Sequence, residues 1–203
     1  MIKLKINSTS FTIPTTASEI SLKQFIALRA WALNTDSEEY DLVSAFTGMD
    51  IDDAIDSAHI WQGRIDIADM VKLFSIEQSD KAIEVAGVTL KPVKFELLKV
   101  SQRMLMQPIY TALADGKELE QYLPRILAIG YGKQLHGKAW ASNLSLSEQL
   151  FEEASAMDVL PSAYFFLHSS LILKKDGRLS SFRLMKFGLM QVANRWRGLV
   201  FGR

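Results

Sequence analysis

Apolar and polar positions alternate from the first residues. Ile2, Leu4 and Ile6 are separated by Lys3 and Lys5, and after Asn7-Ser8-Thr9 the run Ser10-Phe11-Thr12-Ile13 alternates again before Pro14. Period two on either side of a short polar link predicts a β-hairpin. The period then changes. Ser21 stands in a cap position with Gln24 three residues on, and Leu22, Phe25, Ile26, Leu28 and Leu33 recur at helical spacing, predicting a helix over 22–33. A second short helix runs from Glu39 to Phe46 and stops at Thr47-Gly48. Asp50 caps a third that contains Ile51, Ala54 and Ile55. Trp61, Ile65, Ile67, Met70, Val71 and Phe74 form another apolar face of helical period, interrupted near its start by Gly63. Alternation returns in Lys81–Val85 and Val88–Pro92 around Ala86-Gly87, a second hairpin. Beyond Pro92 the pattern predicts helices over 95–112, 117–133, 145–157, 161–174 and 179–198. Their breaks fall at Asp115-Gly116, Gly137, Asp158 to Pro161 and Asp176-Gly177.

The expected fold class is therefore mainly α with two small β-hairpins, an α+β protein with a compact helical core. Residues 1–80 would hold the first hairpin and the short helices, and residues 81–203 the second hairpin and the helical region, or the whole would form one continuous domain. The halves share the order hairpin then amphipathic helix, without a residue-level repeat visible in the sequence.

Composition narrows the class. The 203 residues are 48% hydrophobic and 23% charged, which is globular and not disordered. No stretch approaches the roughly 18 uninterrupted apolar residues of a membrane span. The alternating Met1–Ile6 segment lacks the basic-then-apolar layout of an export signal. Zero cysteines exclude a disulfide framework, a thiolate zinc site and a Cys nucleophile, and suit a reducing cytoplasm. Basic and acidic residues balance at 23 each, but their distribution does not. Asp36, Glu38, Glu39, Asp41, Asp50, Asp52, Asp53 and Asp56 lie in a stretch without Lys or Arg, whereas the chain from Lys174 onward carries eight basic residues and only Asp176 as an acid. Opposite charges at opposite ends can serve self-pairing into a homo-oligomer, an acidic or basic partner, or nucleic acid.

No chemistry-bearing motif emerges. His59, His136 and His168 lie far apart without ligand spacing. Asp50–Asp56 offers carboxylates at short intervals but lacks the turn glycine and bidentate Glu of a calcium loop, so it reads as an acidic helix start. Gly130-Tyr131-Gly132-Lys133 follows a helical run, not a strand, and reads as a helix C-terminus instead of a phosphate loop. There is no Gly-x-Ser-x-Gly elbow, and Glu152-Glu153 point in different directions on a helix. We therefore expect no enzyme, no catalytic residues, no metal and no cofactor. Arg195-Trp196-Arg197 raises nucleic-acid binding. The surrounding apolar period, Phe182, Met185, Leu189, Val192, Ala193 and Trp196, favours an amphipathic protein-docking helix instead. The expected protein-binding residues are Phe182, Met185, Leu189, Val192, Arg195, Trp196 and Arg197. Met104, Met106, Met157, Met185 and Met190 add flexible apolar side chains to the helical half.

Several short motifs together resemble a family of bacteriophage proteins encoded among tail genes. The N-terminal hairpin leads into Ile13-Pro14-Thr15, then Glu19 and Leu22-Lys23-Gln24-Phe25, similar to that family's leucine-x-glutamine-aromatic helix. The resemblance continues through Val43–Met49 with its acidic follow-on, the second hairpin, Tyr122–Ile129, and Leu160-Pro161 leading to Phe165–Ser169. It implies a role in tail morphogenesis, as an assembly chaperone that covers apolar helices of the tape-measure protein until tail-tube subunits replace it. The alternatives are a virion subunit such as a head-tail connector or tail-completion protein, which would place the chain in the particle, and a small nucleic-acid-binding regulator.

Overall fold

The computed structural model describes residues 1–172, with side chains through Ser169. Helices dominate it, alongside two separate antiparallel two-stranded sheets, so the α+β class holds. The described residues divide into two compact units: Met1–Ile76 with Ser155–Met157, and Glu77–Ala154 with residues 158–172.

In the first unit β1 (Ile2–Ile6) pairs with β2 (Thr9–Ile13), Ile6 opposite Thr9 and Ile2 opposite Ile13. Asn7 and Ser8 join them with φ of 46° and 72°, the left-handed pair whose twist matches the strands of a hairpin. One face of the hairpin is buried: Leu4 and Ile13 enter a core with Val43, Met49, Ala54 and Trp61. Helix α1 (Leu22–Leu33) begins at a complete capping box, in which Ser21 Oγ accepts the Gln24 N–H and Gln24 Oε1 accepts the Ser21 N–H. Gln24 Nε2 then donates to the Phe46 carbonyl of α2 (Glu39–Thr47) at 3.1 Å, so one side chain caps a helix and ties it to the next. Phe25 meets Phe74 edge-on, and the buried Arg29 guanidinium lies 5.2 Å from the same ring. The α2 helix ends at Gly48, whose φ of 71° is an αL cap. Ala156, in the returning segment, donates its N–H to the Ile20 carbonyl, beside a bridge between Ser155 and Ser21.

The stretch from Trp61 to Phe74 departs from the expected single helix. It forms the end of α4 (Ala58–Trp61), then α5 (Ile67–Met70) and a 3₁₀ turn over Val71–Ser75, following α3 (Ile51–Asp56). Gly63 at φ 74° breaks the helical path. Asp66 restarts it, its carboxylate accepting the Asp69 N–H at 2.8 Å while its own N–H donates to the Thr15 carbonyl. Asp50 precedes α3 as expected but makes no side-chain cap hydrogen bond.

Glu19 closes the connection between hairpin and α1. The amino group of Met1 donates to its Oε1 at 2.5 Å, and the N–H and hydroxyl of Thr15 donate to its Oε2 at 2.7 and 2.8 Å. These donors, the Met1 ammonium first, hold the carboxyl down at about 2. A depressed folded-state pKa contributes stability above the unfolded value, 4.5, and loses it as the pH falls from there toward about 2. Wild type should therefore lose more urea resistance between pH 6 and pH 3 than Glu19→Gln does; equal losses would show that these contacts carry no linkage.

In the second unit β3 (Ile83–Val85) pairs with β4 (Val88–Leu90) through Ala86 and Gly87, at φ 51° and 75°. Among the described residues α6 (Val100–Ala114), α7 (Leu123–His136), α8 (Leu144–Glu153) and α9 (Ala156–Ile172) follow, α9 belonging to this unit from Asp158 on. Lys91 extends the hairpin toward α7, donating its N–H to Gln134 Oε1 and accepting from Gln134 Nε2, both at 2.8 Å, as a neighbouring strand would. An Arg125–Glu148 ion pair links α7 to α8.

Three expectations change here. Gly130 and Gly132 do not end a helix but lie inside α7, where they permit close packing: a Cβ on Gly130 would stand 3.3 Å from Phe166 Cε2, and one on Gly132 3.4 Å from Ser147 Oγ. Asp158 to Pro161 does not break the chain, because α9 starts only at Ala156 and the buried Val159, Leu160, Ala163, Phe166 and Leu167 sustain it past the proline. The preceding helix accordingly stops at Glu153. The expected helix over 179–198 lies outside the described residues.

The two units also repeat one pattern that the sequence conceals. Each runs hairpin with a two-residue left-handed turn, 3₁₀ turn, capped helix. A constant spacing relates Ala17 to Phe95, Ser21 to Lys99, Gln24 to Gln102 and the buried Leu28 to the buried Met106. Gln102 reproduces the role of Gln24. Its Oε1 accepts the Lys99 N–H, and its Nε2 donates to the Ile129 carbonyl of α7 at 2.7 Å.

Candidate functional site

The seven expected protein-binding residues, Phe182, Met185, Leu189, Val192, Arg195, Trp196 and Arg197, all lie outside the described residues. Within them the most exposed apolar surface is elsewhere, at the start of α6. Leu97, Val100 and Met104 are 73%, 74% and 69% exposed. Val100 and Met104 are one helical turn apart and share a face, and Leu97 precedes them in the 3₁₀ turn over Phe95–Leu97. The opposite face of the same helix buries Gln102, Met106 and Ile109. Isolated surface apolar residues need no explanation, whereas a run of three this exposed does.

The stripe is held rigidly from beneath. The Phe95 ring meets Tyr110 and Phe166 edge-on at 6.2 and 5.9 Å, and its backbone N–H donates to Ser169 Oγ at 2.9 Å. Arg103 lies over the Phe95 ring, donating from Nε to the Leu98 carbonyl and from Nη2 to the Glu96 carbonyl. Lys94, Lys99 and Arg103 are all exposed and leave a basic rim in which, over residues 94–104, Glu96 alone is acidic. In the repeated pattern of the first unit, the residue equivalent to Val100 is Leu22, which is fully buried.

A second apolar surface lies in the acidic segment. Ile51 and Ile55, one turn apart on α3, are 45% and 47% exposed, with Asp52 and Asp56 each following one of them and also exposed. The predicted acidic helix is thus acidic and apolar at once.

The histidines stay apart. His59 is exposed and its Nδ1 lies 3.1 Å from the Asp56 carbonyl, while His136 and His168 are half-buried. Among the described residues no group of three or more His, Asp or Glu side chains is placed to hold a metal, and no helix is long and apolar enough to cross a membrane. Burial pushes the Tyr131 phenol up from its ordinary range; the ring stacks at a tilt on Phe151, 6.1 Å away, as a core residue would.

Fold and surface define a mainly helical α+β protein that presents a rigid, basic-rimmed apolar stripe. No protein-family model, curated protein or solved structure matches the chain.

Proposed function

We propose that the chain is a non-catalytic phage tail morphogenesis protein, an assembly chaperone that binds the tape-measure protein in the host cytoplasm. The resemblance in Leu22-Lys23-Gln24-Phe25 and the motifs around it supplies the tail context. The observation that carries the binding role is the exposed Leu97/Val100/Met104 stripe, mounted on the half-buried Phe95 and the buried Phe166 rings. A rigid apolar stripe on a helix start suits the apolar face of a client helix. The apolar period of Phe182–Trp196 in the sequence adds a second candidate client segment. Co-expression with the tape-measure and tail-tube proteins of the same gene cluster tests this. The tape-measure protein should co-purify with wild type and be lost with Val100→Ser/Met104→Ser; retention of neither tail protein by wild type sinks the chaperone reading.

A second reading, a virion subunit such as a connector or tail-completion protein, is favoured by one observation. The acidic face on α3 and the basic rim beside α6 are complementary, as ring-forming subunits require. Mass spectrometry of purified particles separates the two, because a chaperone is absent from finished virions and a subunit is present in stoichiometric amount.

A further inference from the structure

We infer that copies of this chain associate head to tail, the acidic apolar face of α3 in one molecule docking on the basic apolar stripe of α6 in another. The inference uses only the described surfaces and does not depend on the tail reading.

The occupant follows from matching chemistry. The stripe needs a partner that covers Leu97, Val100 and Met104 and carries carboxylates for Lys94, Lys99 and Arg103. The α3 face offers Ile51 and Ile55 with Asp52 and Asp56 alongside. Both faces are built on the same four-residue period, Val100/Met104 with Lys99/Arg103 against Ile51/Ile55 with Asp52/Asp56. On α6 the basic row precedes the apolar row by one residue, and on α3 the acidic row follows it by one. At 100° per residue, two such helices packed parallel bring the acidic and basic rows to the same side of the apolar seam. The chain's own residues beyond 172 are a poorer occupant for the stripe, since from Lys174 onward they carry eight basic residues and one acid, and like charge repels at the rim.

Because the two faces differ, a single contact leaves one face of each molecule free, and association continues to rings or open chains unless the two free faces close between the same two molecules. The patch involves few side chains, well below the roughly 800 Å² per partner of a stable interface. A single contact is therefore weak and salt-sensitive.

Sedimentation equilibrium on the full chain, at low ionic strength and high protein concentration, tests the inference with two charge-reversed variants. All four substituted positions, Lys94, Lys99, Asp52 and Asp56, are exposed. Wild type should self-associate, and added salt should weaken it. Lys94→Glu/Lys99→Glu alone and Asp52→Lys/Asp56→Lys alone should each lose association by about tenfold or more. Mixed one to one, they should regain association, because the intact acidic face of one variant meets the intact basic face of the other, and the two reversed faces, acidic on α6 and basic on α3, are complementary in turn. Val100→Ser/Met104→Ser, which leaves every charge in place, should also weaken association and shows that the apolar seam takes part. Circular dichroism on each variant checks that it folds. Wild type that stays monomeric overturns the inference, including the case in which the stripe is protected from hydroxyl-radical labelling by the chain's own residues. So does a Lys94→Glu/Lys99→Glu variant that associates like wild type, which would mean that the acidic face takes a different partner.

Discussion

Trp61→Ala should destabilise the Met1–Ile76 unit by about 3–5 kcal/mol, the range for emptying a large buried aromatic site. Trp61 is fully buried at the centre of the core formed with Leu4, Ile13, Val43, Met49 and Ala54. Its ring meets Tyr40 edge-on at 5.7 Å. Its Nε1 donates to the Ala54 carbonyl at 3.1 Å and lies 3.3 Å from Ser57 Oγ, so the indole joins α3 to α4 by hydrogen bonding as well as by volume. Trp61→Phe keeps most of the volume and removes the donor, so it should cost less, on the order of 1–3 kcal/mol, because the loss is then a hydrogen bond and a partial cavity. Hydrogen exchange of the buried amides in α2 and in β1 reads the effect where it arises. A Trp61→Ala protein whose amides in these elements exchange as slowly as wild type would remove Trp61 from the centre of this core.

The loss has a second consequence for α3. With Ala54 buried against Trp61, the indole sets which side of this short helix faces inward, and therefore that Ile51 and Ile55 face outward. A six-residue helix has little stability of its own and takes its orientation from packing. Trp61→Ala should thus weaken head-to-tail association without touching an interface side chain.

Signals confined to a few neighbouring residues are the ones the sequence displays. The alternation of Ile2, Leu4 and Ile6, the Ser21–Gln24 box and the stop at Gly48 each need only adjacent chain to act, and each element appears where its residues place it. The failures are distant effects. Nothing near Gly130 in sequence reveals Phe166, yet that ring explains why a glycine sits inside α7. Pro161 carries a strong local break signal that burial of Val159, Leu160, Ala163 and Phe166 overrides. The repeat was hidden for the same reason: Gln24 precedes Phe25 and Gln102 precedes Arg103, so the shared feature is a side chain reaching another helix, not a shared dipeptide. The candidate stripe was half legible. Apolar residues on both sides of 97–109 are plain in the sequence, but which side is buried depends on α7, through the Gln102 contact to Ile129.

Gly130 and Phe166 should behave as one unit in a double-mutant cycle, with a change of sign. Phe166→Ala alone should cost about 3–5 kcal/mol, since the ring is fully buried and also supports Phe95 beneath the exposed stripe. Gly130→Ala alone should cost about 1–3 kcal/mol, despite the helix propensity that favours alanine by about 1 kcal/mol. The new methyl would stand 3.3, 3.5 and 3.6 Å from Cε2, Cδ2 and Cζ of a ring with its own packing partners, so the ring cannot step aside cheaply. Once Phe166 is alanine the obstruction is gone and only the propensity remains. In that background Gly130→Ala should stabilise the unit, by up to about 1 kcal/mol. Urea unfolding of the four proteins gives the coupling directly, expected above about 0.5 kcal/mol for residues in contact. Additive costs, or a Gly130→Ala protein more stable than wild type, would mean that α7 and α9 adjust their spacing freely. The Phe95 mount of the stripe would then be soft as well.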